Sequence, residues 1–221
     1  MRPLQKLVAS DGYEVMLFPL PYMYISQGEL ETYSHAGILA MDFMGWGTDG
    51  RIYHAPLFAP CSCKCVGAID ENNKGRVFES LNPVHTPSGL QYVTFMCFHD
   101  NTPIASVGDT FNQGEIFAHT GTAGEVSGDH THFNTANGKY AGWENVPPDN
   151  NGELINSNHI YDICYVNDTV LSHDYDYNWQ EYTGEILDEK KKHKFPWFIY
   201  ARKLRDKRYW QIVSFIIYYL M

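Results

Sequence analysis

Long runs with helical periodicity are few in this chain. Short apolar segments broken by turn residues predominate, which is the pattern of strands rather than helices. Strands are expected around 36–43, 51–56, 61–69, 76–80, 90–98, 114–119 and 130–135, after a first strand and loop in 12–26 that Pro19 and Pro21 interrupt. Turn residues separate them: Gly45 and Gly47, Asp49-Gly50, Asn72-Asn73, Pro87-Ser88-Gly89, and the run from Gly121 through Gly128. Asn101 to Gly114 reads as loop anchored by Val107 and Phe111, residues 136–159 as a long surface excursion, and Ile160 to Leu171 as a returning strand.

The pattern changes near the end of the sequence. Phe195 to Arg208 reads as one basic amphipathic helix, and Tyr209 to Met221 is nearly all apolar. That apolar stretch is shorter than the about 20 residues a membrane span takes. A docked hydrophobic end, an interfacial segment and part of a longer region all remain open for it. The fold class expected is therefore mainly β, with a short C-terminal tail that is helical, basic and apolar. Residues 1–170 are expected to form one domain, and 171–221 an acidic linker followed by that tail.

Composition supports this reading. With 221 residues, 44% hydrophobic and 15% aromatic, the chain can bury a sizeable core. There is no internal repeat and no low-complexity segment. The net charge of −10 is unevenly spread, −17 across residues 1–188 and +7 across 189–221. An acidic body argues against nucleic acid as a partner, since neutralising phosphates needs clustered Lys and Arg. The basic tail fits an anionic membrane or an anionic wall polymer, or else a solvated helix. The first residues, Met1 to Val8, lack the apolar stretch and small-residue cleavage site of a secretory signal.

Cys61, Cys63 and Cys65 alternate, so on a strand they share one face. A cysteine-rich metal site is one reading of them, and small apolar filling of the core is the other. Cys97 and Cys164 read as core residues.

The strongest chemical signal is the pair His130 and His132 within Gly128-Asp129-His130-Thr131-His132-Phe133. Histidines one residue apart on a strand point to the same face. An earlier segment, Ser34-His35-Ala36-Gly37, is followed by Asp42, with Asp49 close by as another carboxylate. Two imidazoles and a carboxylate suit zinc, and three ligands leave a fourth position open, as catalytic sites do. The sequence contains no His-Glu-x-x-His helix, so a glutamate base of that kind is not indicated.

Taken in order along the chain, these segments resemble the lysostaphin-like, or LytM-type, zinc endopeptidases that cut peptides in bacterial cell walls. Ser34-His35-Ala36-Gly37 with Asp42 resembles the first metal segment of that family. Tyr53-His54-Ala55-Pro56-Leu57-Phe58-Ala59-Pro60 resembles its Ala-Pro strand, and Phe95-Met96-Cys97-Phe98-His99 the strand that ends in its catalytic histidine. Val107 to Glu115 resembles its turn-rich stretch, and Gly121 to Phe133 its glycine and His-x-His-Phe signature. The likeness covers residues 10 to 170. The separation of His35 from Asp42 is wider than in the best-known members and resembles that of bacteriophage relatives. Asp129 stands where many relatives carry proline.

The resemblance implies an antiparallel sheet with a substrate groove, and one Zn²⁺ held by His35, Asp42 and His132. It makes His99 and His130 the catalytic pair: one orients or deprotonates water, and the other stabilises the oxyanion or protonates the leaving amine. It implies a peptidoglycan peptide as substrate. It also implies synthesis in a host cytoplasm and action on the wall, after release by a holin or as part of a virion. Two other readings stay open on the same fold, a zinc-free wall-binding relative and a structural tail-tip component.

The other histidines carry less. His54 and His119 fall near the expected groove yet read as structural or exposed, and His85, His159, His173 and His193 sit in polar contexts with no evident chemistry. Trp46, Tyr92, Tyr140 and Trp143 read either as groove lining or as core.

Overall fold

The computed structural model describes residues 1–144 and 153–187. The expected helix over Phe195–Arg208, the apolar end and His193 lie outside the described residues. One compact unit runs from Met1 to Ile186. Among the described residues no helix is long and apolar enough to cross a membrane.

The fold is mainly β, as expected. Its main sheet places strand Thr131–Asn137 at the centre. On one side follow Val93–Phe98, Arg76–Ser80, Cys63–Ala68 and the short Thr110–Phe111. On the other side lie Ala40–Phe43, Tyr22–Gln27 and the edge strand Val170–His173, and Ser157–Asn158 also pairs with the central strand. All these pairings are antiparallel except that of Tyr22–Gln27 with Val170–His173, which is parallel and makes the sheet mixed.

Two expectations shift. The segment expected as a strand over 51–56 divides into Gly50–Arg51, which closes a hairpin with Trp46–Gly47, and Pro56–Phe58, which pairs with Ile116–His119. Between them His54 adopts a left-handed backbone, φ 53°, which breaks a continuous strand. The segment from Ile160 opens as a helical turn, Ile160–Ile163, and becomes strand only at Val170. Residues 174–186 stay with the compact unit: Tyr177 and Trp179 pack against its core and Ile186 bridges Ala9.

Period-two alternation gives the sheet two unlike faces. Met41 and Phe43, Phe78, Phe95 and Cys97, and Phe133 join one aromatic core with Phe18 and Phe117. Phe78 stands edge-on to Phe117 at 4.9 Å between ring centroids and stacks on Phe95 at 5.4 Å. Their strand neighbours Asp42, Phe98 and His132 therefore project from the opposite face. On that face a smaller cluster of Val77, Met96, Phe98, Ala136 and Leu154 is covered by Tyr140 and Trp143. These two aromatics are packing residues. Trp46 stacks on Tyr24 at 4.2 Å, and Tyr92 lies beneath Lys139.

Cys61, Cys63, Cys65, Cys97 and Cys164 are all free and buried in the main core. Burial pushes the thiols of Cys61, Cys63, Cys97 and Cys164 well up, which makes them poor nucleophiles and poor ligands. They fill space.

Candidate metal centre

The central strand brings the site together. In the antiparallel register His132 lies opposite Asp42 on one neighbour and opposite Phe98 on the other. Directly opposed side chains on one face are the closest pairs a sheet offers. The third residue, His35, comes from a short 3-10 turn, Tyr33–His35, just ahead of the Asp42 strand.

Asp42 Oδ1 lies 3.2 Å from His35 Nε2 and 3.2 Å from His132 Nδ1, and those two nitrogens are 3.2 Å apart. Ligands about 2.0–2.2 Å from a common tetrahedral centre lie about 3.3–3.6 Å apart, so the triangle has the dimensions of a zinc site. Asp42 Oδ1 is also buried without a hydrogen-bond partner, a costly state for a carboxylate oxygen unless a cation meets it. The donors present fit the metal that the sequence implied. Asp49 sits exposed at the tip of the Trp46–Arg51 hairpin, away from this group.

His130 and His99 stand beside the triangle. His130 Nε2 is 3.4 Å from Asp42 Oδ2, and the rings of His99 and His130 are 4.7 Å apart. His99 follows the Val93–Phe98 strand in a left-handed conformation, φ 80°, which turns it out of the strand's course. That turn leaves its carbonyl against Gly121, where a Cβ would come within 2.1 Å of the oxygen, so the position tolerates only glycine.

Each ring is held by the main chain. His35 Nδ1–H donates to the Gly28 carbonyl, His99 Nδ1–H to that of Ala123, and His130 Nδ1–H to that of Gly128, each at 2.8 Å. The proton is thereby fixed on Nδ1, and Nε2 carries the lone pair. His132 differs, since it offers Nδ1 to the triangle. Its ring is fixed instead by stacking on Phe98, 5.5 Å between centroids and 13° between planes.

Charge follows geometry. Burial opposes the charge of Asp42, but His132 and His35 outweigh it and hold the carboxyl far below the usual range. Burial also opposes a proton on His35, yet Asp42 raises its pKa above the ordinary value. Burial lowers His132. It lowers His99 to about 3, helped by the neighbouring imidazoles of His130 and His132. His99 is therefore a neutral base with a free lone pair.

The five sequence-derived residues His35, Asp42, His99, His130 and His132 thus gather in one place. The carbonyls that orient them, of Gly28, Ala123 and Gly128, left no trace in the sequence, because a carbonyl belongs to every residue. Phe98 was within reach, since it precedes His99 and alternation sets it on the His132 face.

The remaining histidines divide. His85 meets Asp11 at 2.8 Å, His159 meets Glu29 at 2.8 Å, and His173 donates to the Ile25 carbonyl at 2.8 Å. These contacts are structural. His54 and His119, read from sequence as near the groove yet structural or exposed, stack on one another at 4.3 Å.

No family profile matches the chain. Morphogenesis protein 1 of Bacillus phage B103 is 32% identical over 181 residues, which cover 81% of this chain and 47% of that protein. The chain thus spans about half the length of this curated relative. Among solved structures, a mutant form of the catalytic domain of the prophage-encoded M23 protein EnpA from Enterococcus faecalis is 14% identical, with a TM-score of 0.43 over 64% of this chain and 93% of that one. The antimicrobial peptidase lysostaphin from Staphylococcus simulans is 16% identical, with a TM-score of 0.41 over 57% of this chain and 50% of that one. A zinc-containing peptidase from Vibrio cholerae is 16% identical, with a TM-score of 0.40 over 60% of this chain and 43% of that one. These structures are peptidases of the group the sequence resembles, and the curated relative is a phage protein.

Proposed function

We propose that this chain is a zinc-dependent endopeptidase of the lysostaphin-like kind that hydrolyses peptide bonds in bacterial peptidoglycan, and that it acts as a phage wall hydrolase. One observation carries the reading: two imidazole nitrogens and an orphaned carboxylate oxygen lie 3.2 Å from one another, with two further imidazoles alongside.

His35, Asp42 and His132 would hold the metal. Zinc bound there supplies a Lewis acid that polarises a peptide carbonyl and lowers the pKa of water toward neutrality. His99, neutral and with Nε2 free, would accept a hydrogen bond from the attacking water and orient it. His130, with Nδ1–H fixed on the Gly128 carbonyl and Nε2 beside Asp42, is placed to carry a proton and present it to the oxyanion or the leaving amine. Asp42 touches His35, His130 and His132, so it sets the charge of the group as well as binding to metal.

A second reading has support from the phage relative, whose name is that of a morphogenesis protein. On that reading the chain serves a particle as a structural part with no turnover. The basic tail is proposed, in either case, to dock on an anionic wall polymer, a membrane surface or a virion partner.

One experiment separates the two readings. Purified walls of different cross-bridge types are digested with the full chain, with and without a zinc chelator, and the released fragments are identified by mass spectrometry. New amine and carboxyl termini at one class of peptide bond, lost on chelation, support the endopeptidase. Intact walls from every type, with a protein that carries zinc, would leave the structural reading.

A further inference from the structure

A second cluster of ligand-type side chains lies outside the centre described above. We propose that His54, Asp100 and His119 form a separate site for a divalent transition-metal ion such as zinc, which ties together three segments of the fold.

Strand pairing creates the cluster. His119 ends the Ile116–His119 strand opposite Pro56, which leaves His54 just beyond the end of that short ladder. The two imidazoles stack at 4.3 Å with 18° between their planes. Asp100 reaches them from the end of the Val93–Phe98 strand. One donor atom from each of the three lies within 4.8 Å of the others.

One buried ring nitrogen of the cluster, His119 Nδ1, has no hydrogen-bond partner among the described residues. Asp100 is only 3% exposed. Its Oδ1 accepts the Thr102 N–H at 2.8 Å, and its Oδ2 accepts the His119 N–H at 2.9 Å. The same Oδ2 stands 3.4 Å from His119 Nδ1. That separation is long for a charge-assisted hydrogen bond but ordinary for two ligands of one metal. His54 Nδ1–H donates to the Thr120 carbonyl at 3.2 Å, which leaves Nε2 with the lone pair, and the exposed ring is free to adjust.

The donor set selects the ion. Two imidazoles and a single carboxylate suit zinc, nickel or copper and give too few oxygens for calcium or magnesium. The site shares no residue with His35, Asp42 and His132. An ion here would link the loop that carries His54 to the ends of two strands, so its effect would be on stability.

The test is equilibrium dialysis of the metal-stripped full chain against micromolar zinc, with metal per chain measured by mass spectrometry and melting followed by circular dichroism. The expected result is two zinc ions per chain for the unaltered protein, and one for each of His54→Ala, His119→Ala and His132→Ala. Zinc beyond the first equivalent should raise the Tm of the unaltered protein but not that of His54→Ala, whose exposed side chain is dispensable for folding. A single zinc that His132→Ala abolishes and His54→Ala retains overturns this proposal and leaves the first centre standing. A single zinc with the reverse pattern supports the second site and removes the first.

Discussion

His132 faces Asp42 directly across two antiparallel strands, with Nδ1 3.2 Å from Oδ1. The pairing makes the metal centre a property of sheet register: a slip of one residue would send His132 into the aromatic core and Phe133 out. Removing His132 should therefore remove the zinc of this centre and the activity together. His132→Ala and Asp42→Ala are expected to lose the zinc of this centre and wall hydrolysis, and Asp49→Ala to keep both. Zinc retained in Asp42→Ala but lost in Asp49→Ala would move the carboxylate ligand to Asp49.

His99 and His130 should behave differently from the ligands. Their substitution by alanine is expected to leave zinc bound while turnover falls by roughly 10²-fold or more, the scale of lost acid–base or oxyanion groups. Metal content and wall turbidity, measured on the same preparations, check this. Loss of zinc in either variant would place that histidine among the ligands.

Protons and zinc compete for His35. In the metal-free chain burial disfavours a charged ring, but Asp42 outweighs it and raises the pKa above 6.5. The stability this pair gives is full below 6.5 and is lost as pH rises through the raised value. Zinc needs the neutral ring, so its affinity should climb with pH over the same interval, and its uptake at a pH below the raised value should release a proton. His99, already depressed to about 3, does not contribute there. Calorimetric titration in buffers of different ionisation enthalpy counts the protons, and a count of zero would contradict the assignment.

Gly75 supports the site from beneath. A Cβ there would fall 2.1 Å from Phe98 Cε1, and the Phe98 ring is the one stacked on His132. Gly75→Ala should push that ring aside, cost about 1–3 kcal/mol as overpacking does, and weaken zinc binding. Denaturant melts with and without zinc measure both effects. An unchanged zinc affinity would show that Phe98 does not fix the His132 ring.

Deleting residues 190–221 is expected to spare cleavage of a small soluble peptide and to weaken binding to walls or anionic vesicles. Salt should weaken the binding of the full chain as well, since charges are screened beyond about 10 Å at 0.1 M. Loss of soluble-peptide cleavage on truncation would make the tail part of the catalytic unit.

Much of this was legible in the sequence because the relevant rules are local. Alternation set His130 and His132 on one face, and turn residues bounded most strands. Non-local pairing was not legible. Nothing near His54 announces that it will stack on His119, because their meeting depends on the pairing of Pro56–Phe58 with Ile116–His119. The segment at 51–56 was misjudged for a related reason: His54 donates its N–H to Asp129, and that distant contact accompanies its left-handed turn. The parallel edge strand escaped notice because a strand's direction relative to its neighbour is not encoded in its own residues.

The imidazoles of His35, His99 and His130 are each oriented by a main-chain carbonyl. The side chains of residues 28, 123 and 128 take no part in these bonds, so identity there is limited by space, as at Gly28, where a Cβ would fall 2.5 Å from the Tyr177 hydroxyl, and not by the rings they steer. A lineage could rewrite that outer layer while keeping its reactivity, and a comparison of side chains alone would miss what was preserved. Such a centre is robust to point substitution and vulnerable to insertions or deletions in the loops, which displace the carbonyls themselves.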